Sequence, residues 1–202
     1  MGLRERKKQQ TRAALSWAAL RLAVERGLAE VTVDEIAAEA GVSPRTFNNY
    51  FTGKYEAIVW RHLDRFARLA DELRARPATE PLWTALTGAV RAVFGSPEPT
   101  EPGPSAEWAA GVRLLLAQPE LRGEFVKASA AAERELAAAV AERTGTDPER
   151  DMYPRLVAGA VGAAVQVASQ QWLRSDPPVG LGLLLADALE QFAAGLPAPR
   201  HP

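Results

Sequence analysis

Residues 32–54, TVDEIAAEAGVSPRTFNNYFTGK, decide the fold. Thr32 followed three residues later by Glu35 is the pattern of a capping box, which opens a helix. Ile36, Ala37 and Ala40 then repeat at helical spacing. Gly41 suits the left-handed backbone with which helices end. Ser43 caps a second helix whose first turn accepts Pro44, because a proline there gives up no hydrogen bond. Val42, Phe47 and Phe51 are spaced to face inward, which leaves Arg45, Thr46, Asn48, Asn49 and Tyr50 outward. Arginine pairs with guanine edges and asparagine with adenine edges, while threonine and tyrosine reach phosphates or thymine methyls. The stretch predicts a helix-turn-helix with residues 43–50 as the recognition helix. The alternative is a helical hairpin whose polar face is merely solvated.

The run TVDEIAAEAGVS, the pair Thr46-Phe47, the pair Tyr50-Phe51 and Lys54 resemble, as one constellation, the DNA-binding domain of TetR-family transcriptional regulators. The resemblance covers residues 8–60. It implies an all-α chain of about nine helices. An N-terminal three-helix, helix-turn-helix domain (residues 1–53) would be followed by a helical ligand-binding and dimerisation domain (residues 54–202). It also implies a homodimer on double-stranded DNA with a palindromic operator. Two heads about 34–36 Å apart would meet successive major-groove faces.

The expected DNA-contacting residues are Thr32, Ser43, Pro44, Arg45, Thr46, Asn48, Asn49, Tyr50 and Lys54. Lys54 opens the next helix, where a cation opposes the helix dipole and backbone N–H groups favour an anion. A DNA phosphate is therefore its expected partner. Upstream, Arg4, Arg6, Lys7, Lys8 and Arg12 form a basic arm on a first helix over 4–27. Arg4, Lys7, Lys8 and Arg12 are expected at phosphates or the minor groove; a solvated, frayed terminus is the alternative.

Composition agrees with a DNA-reading front. Residues 1–76 carry 14 Lys and Arg against 10 Asp and Glu, and residues 77–202 carry 10 against 15. A basic front and an acidic back fit a DNA head on a body that does not touch DNA. The chain has no cysteine, which excludes disulfides and thiolate chemistry. Its start, MGLRERKKQQ, has no apolar core of the secretory kind. A cytoplasmic location is expected.

Beyond Lys54 the periodicity predicts a long helix to about Arg76 and another from Glu80 or Leu82 to Phe94. Residues 95–104, GSPEPTEPGP, predict an exposed loop. A helix then follows Ser105, another runs over 119–143, one over 151–174 and a last over 178–196. No strand pattern occurs. Residues 156–173 carry no charge, yet they are rich in alanine, glycine and glutamine and poor in large aliphatics, so a membrane span is not expected. This helix must be buried on most sides. With the leucine stripe after it, it reads as half of a four-helix dimer interface, through Val161, Val165, Ala168, Leu181, Leu185, Leu189 and Phe192. An intrachain core helix is the alternative.

The resemblance implies a small-molecule site in the body. Candidates are Trp83, Phe94, Trp108, Leu115, Phe125 and Trp172, with Gln166 and Gln170 as polar anchors; plain core packing is the competing reading for each. The run from GVRLLLAQPELRGEF to QWL resembles the body of an actinobacterial subgroup that includes regulators of the mycofactocin type. That resemblance implies an apolar or amphipathic, acyl-CoA-like ligand. A body that meets a protein partner is the alternative. An enzyme or small-molecule carrier is disfavoured. The histidines are His62 and His201, and no Ser-His-Asp set, phosphate loop or HExxH motif occurs. No catalytic residue, metal ligand or cofactor is expected.

Overall fold

The computed structural model describes residues 2–95, 105–175 and 179–198. The loop expected over 95–104 lies outside them beyond Gly95, as do Pro178 and His201. Among the described residues there are nine helices and no strand: α1 (Leu3–Arg26), α2 (Val33–Glu39), α3 (Pro44–Asn48), α4 (Lys54–Ala75), α5 (Leu82–Phe94), α6 (Ala106–Leu116), α7 (Pro119–Thr144), α8 (Met152–Trp172) and α9 (Leu181–Ala193). Among the described residues no helix is long and apolar enough to cross a membrane.

The helices divide into two compact units, residues 1–64 with 107–128 and residues 65–106 with 129–202. In the first, Leu15, Leu22, Ile36, Phe47, Phe51 and Trp60 bury together with Leu115, Leu121 and Ala128. Residues 107–128 therefore complete the core of the helix-turn-helix unit. The fit is close: a Cβ added at Gly111 of α6 would fall 2.7 Å from Val24 Cγ1 of α1. Trp108 and Trp17 also approach, with ring centroids 6.3 Å apart.

In the second unit α9 packs on α5 and α8. A Cβ at Gly182 would lie 2.8 Å from the Phe94 carbonyl oxygen, so glycine is what lets the start of α9 meet the end of α5. Arg74 of α4 bridges Glu142 and Glu135 of α7, both at 2.9 Å. Its hydrogen bonds to Glu142 and then to Glu135 raise the guanidinium pKa further, against the opposing effect of burial. The α4 end is closed by Arg143, which donates to the carbonyls of Arg76, Pro77 and Glu80. α9 stops earlier than the periodicity predicts. Gly195 takes a φ of +79°, and the Leu196 amide returns to the Gln191 carbonyl at 2.9 Å, a Schellman ending.

Candidate nucleic-acid interface

Local chemistry sets the geometry of the reading head. Thr32 Oγ1 accepts the Glu35 amide at 3.3 Å, and the Glu35 carboxylate accepts the Thr32 amide at 2.9 Å. This is the expected capping box. The hydrogen bond from the Thr32 amide, then that from its hydroxyl, hold the Glu35 carboxyl below its ordinary value. A depressed carboxyl contributes stability that is present above the ordinary glutamate range and lost as pH falls through the folded-state value. Glu35→Gln should therefore melt below wild type at neutral pH, and the gap should close in acid; a gap independent of pH would contradict it. Thr32→Ala should cost about 1 kcal/mol by the loss of the cap itself.

After α2 the Gly41 φ is +68°. The Val42 amide bonds the Ala37 carbonyl at 2.9 Å and the Gly41 amide bonds Ala38 at 3.0 Å, so the turn is a Schellman motif that only a left-handed residue permits. Ser43 Oγ then accepts the Thr46 amide at 3.1 Å, and Pro44 occupies the first turn of α3. Regular helix ends at Asn48, but amide bonds from Asn49, Tyr50 and Phe51 back to Arg45, Thr46 and Phe47 continue the turn across the expected recognition segment.

Phe47 is 0% exposed. It meets Phe51 at 5.7 Å, and Phe51 meets Trp60 edge-on at 6.2 Å. With Phe47 anchored, Arg45, Asn48 and Asn49 are exposed, and Thr46 and Tyr50 are half-buried. Pro44, Ser43 and Thr32 are exposed too, the last two engaged as caps. Arg21 with Glu39 and Arg26 with Glu35 pair α1 to α2 across the surface.

Two expected contacts sit differently. The Lys54 ammonium donates to the carbonyls of Leu28, Ala29 and Val31 at 2.7, 3.3 and 2.8 Å. An ammonium has three N–H donors, and all are taken by main chain, so Lys54 ties the start of α4 to the link between α1 and α2. The arm is helical from Leu3, with Arg4, Lys7 and Lys8 exposed. Arg12 is not part of a free arm: its guanidinium carbon lies 5.2 Å from the ring centroids of both Phe51 and Trp60.

Residues 17–57 match the family model described as "Bacterial regulatory proteins, tetR family", and residues 80–197 match "MftR C-terminal domain". The HTH-type transcriptional regulator TcmR of Streptomyces glaucescens is 35% identical over 95% of this chain and 86% of its own length. The chain belongs to the TetR family. Its fold is shared by two solved regulators named FadR. That of Bacillus halodurans has a TM-score of 0.59 and 20% identity, over 95% of this chain and 97% of its own. That of Thermus thermophilus, solved with lauroyl-CoA, has a TM-score of 0.53 and 21% identity over the same shares. As a TetR-family member this is a DNA-binding transcriptional regulator, and regulators of the family act as dimers on operator DNA.

The body residues of this TetR-family chain are arranged differently from the sequence expectation. Trp108, Leu115 and Phe125 belong to the first unit, where Leu115 is buried in the head core and Phe125 meets His62 at 5.0 Å. Trp83, Phe94 and Trp172 belong to the second, where Trp83 stacks on Phe192 at 6.3 Å and Arg65 lies over Phe94. Gln166 and Gln170 are exposed in the single chain.

The expected dimer residues are displaced as well. Val161, Val165, Ala168, Leu185 and Leu189 are buried inside the single chain, and Leu181 and Phe192 are half-buried. The five buried ones are core of the second unit, while Leu181 and Phe192 keep part of their surface open. The exposed face of α8 carries Met152, Tyr153, Leu156 and Val167, and that of α9 carries Leu183. Periodicity could not separate the two faces of α8, because large apolar residues stand on both.

Proposed function

We propose that this regulator is a repressor that binds a palindromic operator as a homodimer and leaves it when a small apolar or amphipathic ligand binds the body. The observation that carries the DNA half is the locked reading helix: Phe47 is fully buried while Arg45, Asn48 and Asn49 stand free at its surface. Buried anchoring fixes the direction of the exposed side chains, which base-edge reading requires. For function, residues 1–53 carry the DNA contacts and residues 54–202 the ligand and dimer roles. The protein works in the cytoplasm and is not an enzyme.

Selection of bound sequences from random duplex DNA tests this. An enriched palindrome is the expected result; weak, salt-sensitive binding without enrichment would contradict it. Arg45→Ala should relax base choice at one position per half-site, at a cost of about 1–3 kcal/mol on the preferred sequence and little on others. Equal losses on every duplex would place Arg45 at the backbone instead.

Ligand and DNA oppose each other through one coupling energy, typically about 1–3 kcal/mol. The lauroyl-CoA in the Thermus thermophilus FadR structure makes a long-chain acyl-CoA the first probe. Within the second unit Trp83, Phe94 and Trp172 are the aromatic candidates for contact with it. Release of the selected duplex by such a probe supports the reading. A protein partner is the second reading, and Leu114 and Val126 of the first unit, each 70% exposed, favour it.

A further inference from the structure

Arg12 and Lys54, both expected at DNA phosphates, sit in different surroundings. Arg12 is half-buried on α1, and its Nε is shielded from solvent without a hydrogen-bond partner. It forms no ion pair among the described residues. Phe51 and Trp60 hold its guanidinium through their ring faces, at 5.2 Å each. Such contacts orient a cation and leave its N–H fork free for an anion.

One turn before it, Gln9 Oε1 is buried without a partner; one turn after it, so is Ser16 Oγ, on a residue that is 0% exposed. Residues 9, 12 and 16 share one helix face. Unmatched polar groups of this kind cost stability in the free protein. A phosphate diester would accept from the arginine fork, whereas the Ser16 hydroxyl, on a residue that is 0% exposed, is closed to a phosphate of the DNA backbone. Arg4, Lys8 and Arg12 follow one another at four-residue spacing, so a basic row along α1 leads to this seat. Lys54, by contrast, has no donor to spare, because the carbonyls of Leu28, Ala29 and Val31 take all three.

We propose that Arg12, and not Lys54, is the cation of the head that binds a DNA backbone phosphate, and that Lys54 is a positioning residue which fixes the start of α4 against the α1–α2 link. The proposal rests on the reading of the chain as a DNA-binding regulator.

The test is a salt titration of the full chain on the duplex that the wild-type protein selects. Each phosphate neutralised contributes about 0.9 to the slope of log affinity against log salt. Arg12→Gln should lower the slope by ~1.8 for a dimer on a palindrome, and so shrink the affinity lost between about 50 and 200 mM salt roughly tenfold. Lys54→Met should lower the melting temperature and leave the slope unchanged. Any other pairing of slopes overturns the proposal. Wild-type protein that binds no duplex removes it together with the DNA reading; wild-type binding with an unchanged Arg12→Gln slope overturns the Arg12 assignment alone. Should Arg12→Gln fail to fold, arginine 15N spectra of the wild-type protein decide. The Arg12 Nε–H resonance, identified by its loss in Arg12→Lys, shifts on adding the duplex if the proposal holds and stays in place if it does not.

Discussion

Phe47→Ala should abolish operator binding. Phe47 is 0% exposed and sits between Thr46 and Asn48, so it is the one side chain of α3 that is fully buried against the core. Truncating a buried phenylalanine costs about 3–5 kcal/mol, through lost transfer energy and the cavity left behind. Domains of this size have about 5–15 kcal/mol in total, so the head loses a large share of its stability. The effect on binding is larger than on folding alone, because Phe51 loses its ring partner at 5.7 Å and the exposed Arg45 and Asn48 lose their fixed direction. Affinity for the selected duplex should fall at least ~100-fold, by the factor of ten per 1.4 kcal/mol. Fluorescence anisotropy with the labelled duplex measures it, and hydrogen exchange of the α3 amides reports the loosened head. Retention of wild-type affinity would mean that α3 is held by something other than its buried ring.

Val167→Glu should break the dimer and leave the fold of the chain intact. Val167 is 62% exposed on α8, and Leu156 of the same helix and Leu183 of α9 are exposed beside the buried positions of each. Apolar side chains left in water at this density mark a contact surface. In a two-fold interface each substitution enters twice, and an unpaired carboxylate pressed into an apolar contact is expensive. Sedimentation should therefore show a monomer at concentrations where wild type is a dimer. A surface change of this kind moves monomer stability by less than about 0.5 kcal/mol, so the secondary structure should persist. Operator affinity should fall by about 10²–10⁴, the gain that two linked heads have over one. Leu189→Ala is the contrast, since Leu189 is 0% exposed within the chain: it should lower the melting temperature and leave the dimer, where folded, in place. A dimeric Val167→Glu would move the interface to another face.

The sequence was most legible where the chemistry is local. The caps at Thr32 and Ser43, the glycine turn at Gly41, Pro44 in the first turn and the buried Phe47 and Phe51 all depend on residues within a few positions of one another. The contacts that escaped reading are distant along the chain. The carbonyls that take up Lys54 lie 23–26 residues earlier, and the aromatic seat of Arg12 is made by Phe51 and Trp60. Nothing in the spacing of Lys54 announces these partners. The two faces of α8 posed a different difficulty. Val161 and Val167 are the same residue type on one helix, yet one is buried and the other exposed, and only tertiary packing decides between them.

The discontinuity of the head has a consequence for how the protein is made. Leu115, Leu121 and Ala128 complete the core that Leu15, Ile36 and Phe47 begin. A nascent chain that has emerged only as far as residue 64 still lacks these side chains and exposes the apolar surface they will cover. The head reaches its final packing only once residue 128 has left the ribosome exit tunnel, and until then its core is an opening for chaperones or proteases. The same holds for hybrid regulators: a head transplanted onto another body should carry residues 107–128 with it.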